Sequence, residues 1–289
     1  MLQNQKDIYK KVLEVAIKSI IFAVIAGVLT TLTHMLSDMF IFHTHGKPEI
    51  ANTTLIIYTS VDKMLLAVAY YVLGRKIPIK NTVLRGIAFM WLYILSNYIP
   101  QIMGLAFADG EIAEKSFSVS IVVCDIIVYS LLSVILGFLY KNDSTINLKK
   151  ACSKGSFIKS IGISAIVFPL LVITTDQIMY YVYPAFSSSC VIGVSEQCRV
   201  PFLINFYSWF ILTGAVLSVF YRMTEYNDNG SFIKFALKYG LLLWTPVVMI
   251  MVLFGTAFIP TMMYTVIFLI IIMIVSWINS KILHTYAGE

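Results

Sequence analysis

Charge is what this chain has least of. Lys, Arg, Asp and Glu make up only 12% of its 289 residues, about half the share found in an average soluble domain. That scarcity excludes a conventional water-exposed surface, which needs charge of both signs to stay hydrated and dispersed. Catalytic signatures are missing as well. There is no Gly-x-Ser-x-Gly elbow for serine hydrolysis and no Walker A loop for ATP-driven work. Neither Tyr-Asp nor Gly-x-Gly-Asp occurs, as intramembrane aspartyl proteolysis would require. Only four cysteines are present and none forms a Cys-x-x-Cys redox or zinc pattern. The chain is therefore expected not to be an enzyme, and no cofactor is implied.

What is abundant is apolar sequence. Hydrophobic residues reach 59% and the mean hydropathy is +0.84. A membrane span needs about 20 mostly apolar residues. Eight segments qualify, at approximately 13–36, 53–74, 84–104, 117–140, 157–183, 202–221, 234–256 and 260–280. The expected fold is all-α: a polytopic membrane helical bundle forming a single transmembrane domain over residues 1–289. The connections are too short to hold a folded catalytic or DNA-binding domain. The first apolar stretch is of full span length without a small-residue cleavage site, so it is expected to remain as a helix and not to act as a secretory signal.

The formal charge of +6 would suit an anionic partner if the basic residues were clustered on one face, but their distribution points elsewhere. With the N-terminus in the cytoplasm, all of the 21 Lys and Arg except Lys47, Lys63, Lys115 and Arg199 fall in cytoplasmic segments or the adjoining helix turns. Asp109, Glu111 and Glu114 lie in an opposite, outer loop. This is the positive-inside pattern. It places both termini in the cytoplasm and makes the lipid bilayer the expected partner, with no role for nucleic acid. The expected location is a cell membrane, multi-pass, with a bacterial inner membrane as the setting.

Cys190 and Cys198 lie in one outer loop, "SSSCVIGVSEQCRVP", where an oxidising face would favour a disulfide between them. Cys124 lies in a span and Cys152 in the cytoplasm, without obvious partners.

The string "GSFIK" occurs at 155–159 and again at 230–234, each time opening a span, while "AIKSI" around Lys18 and "VLRGI" around Arg85 begin earlier ones. The second helices close alike on Arg75, Lys141, Arg222 and Lys281. This reads as four successive hairpins, roughly 1–76, 77–150, 151–225 and 226–289. Membrane transporters are often built from repeated units.

The basic anchors also measure depth, because a helix rises 1.5 Å per residue. His34, Asp62, Gln101, Asp125, Asp176 and Asn205 come from six different spans, and all lie roughly 20–26 Å from the inner anchors. An ionised Asp at a helix centre costs roughly 2.5–3.5 kcal/mol on insertion scales. Asp62, Asp125 and Asp176 are therefore expected to turn inward, forming a shared polar layer in the outer half of the bundle. Lys63 joins them as an internal counter-charge. Adjacent side chains leave a helix about 100° apart, so Asp125 or Asp176 is the expected counter-ion rather than Asp62. The competing reading is that polar side chains between membrane helices serve only as packing contacts, worth about 0.6 kcal/mol each on average. Pro100, Pro169 and Pro246 are expected to bend their spans. Tyr180, Tyr181 and Tyr183 are expected to mark the outer interface.

"HMLSDMFIFHTH" places His34, Asp38, His43 and His45 near the outer surface. With no cysteine or second histidine cluster to join them, they read as loop histidines and not as a metal site. Two function classes follow. The first is a permease- or channel-like protein handling a small polar or cationic solute or protons at Asp62, Lys63, Asp125 and Asp176, with His34, Gln101 and Asn205 lining the site. The second is a non-enzymatic interaction protein that recognises another membrane protein: an assembly partner, a sensor or a toxin-immunity protein. Its outer loops would carry that recognition.

Overall fold

The computed structural model describes residues 2–37, 53–106, 112–141, 154–182, 200–224, 231–244 and 258–285, all statements below being confined to them. Among these residues the chain is helical and has no strand. The helices are α1 (Leu2–Ser37), α2 (Thr53–Val72), α3 (Thr82–Asn97), α4 (Ile99–Ala106), α5 (Ile112–Leu139), α6 (Lys154–Val182), α7 (Val200–Thr224), α8 (Ser231–Tyr239) and α9 (Phe258–Thr285). They match the eight expected apolar segments, with α3 and α4 sharing the third. In the seventh, α8 gives way to a π-helical turn at Gly240–Trp244. Stretches of α1, α5, α6 and α9 are long and apolar enough to cross a membrane.

The exposed perimeter of the helices is apolar, unlike that of a bundle in water, and the largely apolar core holds several polar side chains. Val24, Val28, Leu32, Ile127, Leu131, Ile166, Leu170, Val266 and Ile270 are exposed at helical spacing. Ser19, Ser133, Ser160, Ser164, Ser218, Ser276 and Asn279 are buried, together with Asp62, Lys63, Arg85 and Asp176. A soluble helix turns its apolar stripe inward. An aliphatic perimeter of this extent suits hydrocarbon, where backbone polar groups are satisfied within each helix. Tyr181 is 80% exposed at the end of α6, in keeping with an interfacial ring.

Packing follows chain order and then repeats. In the first half α1 packs on α2, α3 on α5, and α1 also on α5; in the second α6 packs on α7, α8 on α9, and α6 also on α9. The halves meet where α3 and α4 pack on α7 and where α2 packs on the π turn after α8. Buried positions follow the same plan. Ser19 and Ser160 are buried just after Lys18 and Lys159, and Ser133 and Ser276 are buried on α5 and α9.

Close helix crossings need glycine. A Cβ on Gly86 of α3 would lie 2.2 Å from the Ser133 carbonyl oxygen, and one on Gly137 of α5 would lie 2.6 Å from Val83 Cα. The two backbones are therefore in near contact at this end.

Local chemistry sets the helix ends. Asn81 caps α3, its side chain accepting from the Val83 and Leu84 N–H groups at 2.9 and 3.1 Å. Arg85 does not behave as a surface anchor. It is fully buried and reaches back to the Ile79 carbonyl, donating from Nε at 2.9 Å and Nη2 at 2.7 Å. Pro169 sits inside α6, which continues past it to Val182. Pro100 stands just inside α4, where the third span changes helix after Tyr98. Pro246 lies outside the described residues.

Candidate functional site

Asp62 and Lys63, the buried charges of α2, meet Tyr129 of α5. Lys63 Nζ donates to Asp62 Oδ2 at 2.9 Å, and both residues are buried. Lys63 also hydrogen-bonds the Tyr129 hydroxyl of α5 in a short contact, and Nζ stands 4.2 Å from the centre of that ring. Tyr129 donates onward to Asp62 Oδ2 at 3.4 Å. The lysine thus has a carboxylate, a phenol oxygen and an aromatic face, which together replace much of the water it has lost.

This corrects the expected pairing. Asp62 itself, not Asp125 or Asp176, is the direct counter-ion. The 100° divergence of neighbouring side chains applies to their Cβ atoms, whereas a four-carbon lysine stem can swing its ammonium back across one helix turn. Asp125 is half-buried on α5, one helix turn before Tyr129 and on the same helix face.

Asp176 is also buried, but it belongs to α6, whose packing partners are α7 and α9. None of the three aspartates is on the exposed perimeter. His34, Gln101 and Asn205 are carried on α1, α4 and α7, and their side chains lie outside the described residues. Cys190 and Cys198 also lie outside them. Cys124 is a buried free thiol.

Tyrosines are the members of this cluster that sequence reading missed. Tyr98 packs on Tyr129 with ring centres 5.0 Å apart and Tyr93 does so at 5.5 Å. One signal was available: Tyr129 follows Asp125 by four residues, so the two share a helix face. Tyr93 also lines a small crevice with Ser96, Asn97, Trp209, Thr213 and Tyr239. The aromatic cluster therefore connects the buried ion pair to the α3–α7 boundary.

A second polar cluster lies among α6, α7 and α9. Ser160 Oγ is 2.7 Å from Ser218 Oγ and also bonds Asn279 Oδ1, which accepts from Ser164 at 2.9 Å. All four residues have no exposed surface. Lacking charge, this cluster does what interhelical polar contacts ordinarily do, which is to fix helix register. The chemistry available to the first cluster is different: an amine, carboxylates and phenols in hydrogen-bonding reach can hold and exchange protons. No protein-family model, curated protein or solved structure matches the chain.

Proposed function

We propose that this chain is a permease-like protein of a cell membrane, crossing it eight times with both termini cytoplasmic, and that it handles protons or a small cation at the Asp62–Lys63–Tyr129 cluster. The observation that carries the reading is the buried ammonium–carboxylate pair braced by a phenol from another helix. A mere packing contact can be made with serine or asparagine, as α6 and α9 make it. Ionisable groups at membrane depth are expensive, and they recur where ions or protons pass.

In this reading Lys63 neutralises Asp62, and Asp125 is the second carboxylate available to take up a cation or proton. Tyr129, Tyr98 and Tyr93 link this chemistry to the crevice between α3 and α7. Asp176 supplies a separate buried carboxylate on α6. An aliphatic perimeter, with the polar side chains turned inside, supports the membrane placement.

The test is flux through the full chain reconstituted in liposomes, with an internal pH dye and imposed pH or cation gradients. Asp125→Asn is expected to abolish flux while leaving expression and helicity intact, and Asp62→Asn to abolish it in the protein that remains folded. Flux at the unmodified level in both variants sinks the reading. Cysteines placed at 62, 125 and 176 provide a second measure: labelling by a membrane-impermeant reagent from outside is expected wherever water reaches the carboxylates.

A further inference from the structure

The first helix is longer than a membrane requires. Its 36 residues make a rod of about 54 Å, against roughly 30 Å for the hydrocarbon layer and about 40–45 Å with headgroups included. The surplus lies at the inner end. Every residue over 5–14 is exposed, and Ser19 is the first to be buried against the bundle.

This end is not a hydrophilic extension. Ile8 is 56% exposed, Tyr9 76%, Val12 62% and Leu13 62%. Their three- and four-residue spacing sets them on one helix face, and Leu13 leads on to Ile17, Ile20 and Val24 of the exposed perimeter. Asp7 and Glu14, seven residues apart, fall on the opposite face. Lys6 and Lys10 run along one margin of the apolar face, and Lys11, three residues from Ile8, runs along the other. Lys18 engages Glu14 at 2.6 Å. The segment is thus apolar on one side, cationic at both edges and anionic in the middle of its polar side.

That order matches one environment. At the inner surface of a bilayer, apolar side chains sink to the boundary of the acyl chains, lysine stems lie along it with the ammonium at phosphate level, and carboxylates turn to water. Each lysine held near an anionic membrane surface strengthens the attraction about fivefold. A second copy of the chain fits worse, because two such helices packed side by side would set one cationic margin against another.

We infer that residues 6–17 of α1 form a docking surface for anionic phospholipid of the inner leaflet, with Lys6, Lys10 and Lys11 on the headgroup phosphates and Ile8, Tyr9, Val12 and Leu13 at the acyl boundary. Tilt of the over-long helix brings this face onto the lipid. α1 packs on α2 and α5, and Lys18 Nζ stands 5.1 Å from the centre of the Tyr140 ring of α5. Headgroups held here therefore act next to the two helices that carry Asp62, Lys63 and Tyr129. The inference rests on the proposed membrane placement and not on the permease reading.

The experiment uses the full chain with its four native cysteines replaced by alanine. A nitroxide is attached at Val12→Cys, Asp7→Cys or Val24→Cys, and the protein is reconstituted in vesicles of phosphatidylcholine alone or with phosphatidylglycerol added. Collision with oxygen, which concentrates in lipid, is compared with collision with a nickel chelate, which stays in water. The label at position 12 is expected to favour oxygen and the label at position 7 the chelate. The oxygen preference at position 12 should rise when phosphatidylglycerol is added. Lys6→Gln, Lys10→Gln and Lys11→Gln together should lose that rise, whereas arginine at the same three positions should keep it. Lys80→Gln, Lys154→Gln and Lys234→Gln together, which remove three exposed lysines elsewhere, should also keep it. Chelate contact at both 7 and 12 would mean a helix projecting into water and overturns the docking surface. So does protection of position 12 from both reagents, which would mean that protein covers it. No response to phosphatidylglycerol, or equal loss in the two lysine-to-glutamine sets, overturns it as well. The label at position 24 separates the two failures: oxygen preference there keeps the membrane placement when position 12 fails, and chelate preference there removes both.

Discussion

Lys63 Nζ lies 2.9 Å from the carboxylate of its own chain neighbour, Asp62. Two adjacent residues on a helix rarely meet, because their Cα–Cβ bonds diverge. Here the Tyr129 hydroxyl bonds to both of them, so the third group from α5 gives the pair a common point. The pair is held by tertiary structure and not by helix geometry.

Removing one partner should therefore cost more than removing both. Asp62→Asn or Lys63→Met leaves a buried charge uncompensated and is expected to destabilise by about 3–5 kcal/mol. The double variant Asp62→Asn/Lys63→Met should recover most of that loss, which equilibrium unfolding in mixed micelles would measure as a large coupling energy.

Tyr129→Phe keeps the ring contacts with Tyr93 and Tyr98 and removes only the hydroxyl. The expected cost is about 1–3 kcal/mol, as for a lost hydrogen bond to a charged group. Within Asp62→Asn/Lys63→Met the same substitution should cost much less, because the charges it serves are gone. Equal costs in the two backgrounds would show that the hydroxyl does not act on the ion pair.

Gly86 at the α3–α5 crossing and Gly27 on α1 should respond in opposite ways to the same substitution. Gly86→Ala places a methyl 2.2 Å from the Ser133 carbonyl oxygen and should destabilise by about 1–3 kcal/mol through overpacking. Gly27→Ala meets nothing within 4 Å and should be neutral or stabilising by up to about 1 kcal/mol, since alanine is the better helix former. Thermal unfolding of the two variants side by side reads the difference.

Arg85→Lys is not conservative here. The guanidinium uses two N–H groups on one carbonyl, that of Ile79, and an ammonium cannot reproduce this planar fork. Hydrogen exchange should rise in the turn over residues 74–81 while the buried amides of α5 stay protected.

Much of this molecule was legible in its residues. Low charge and apolar runs specified the helices, because these depend on composition and local spacing alone. Asp62, Asp125 and Asp176 could be kept off the lipid surface by cost, which needs no knowledge of neighbours. Their grouping could not be read in this way. Which face of α2 meets α5, and hence that Lys63 meets Tyr129, depends on helix rotation, and rotation is set by crossings such as Gly86 on Ser133. The crevice was equally hidden, since Thr213 and Asn97 are distant in sequence and ordinary in type. The residues by themselves determined how polar each helix is. Only the packed bundle decided which polar groups share a space, because that choice is made by contact between helices and not along any one of them.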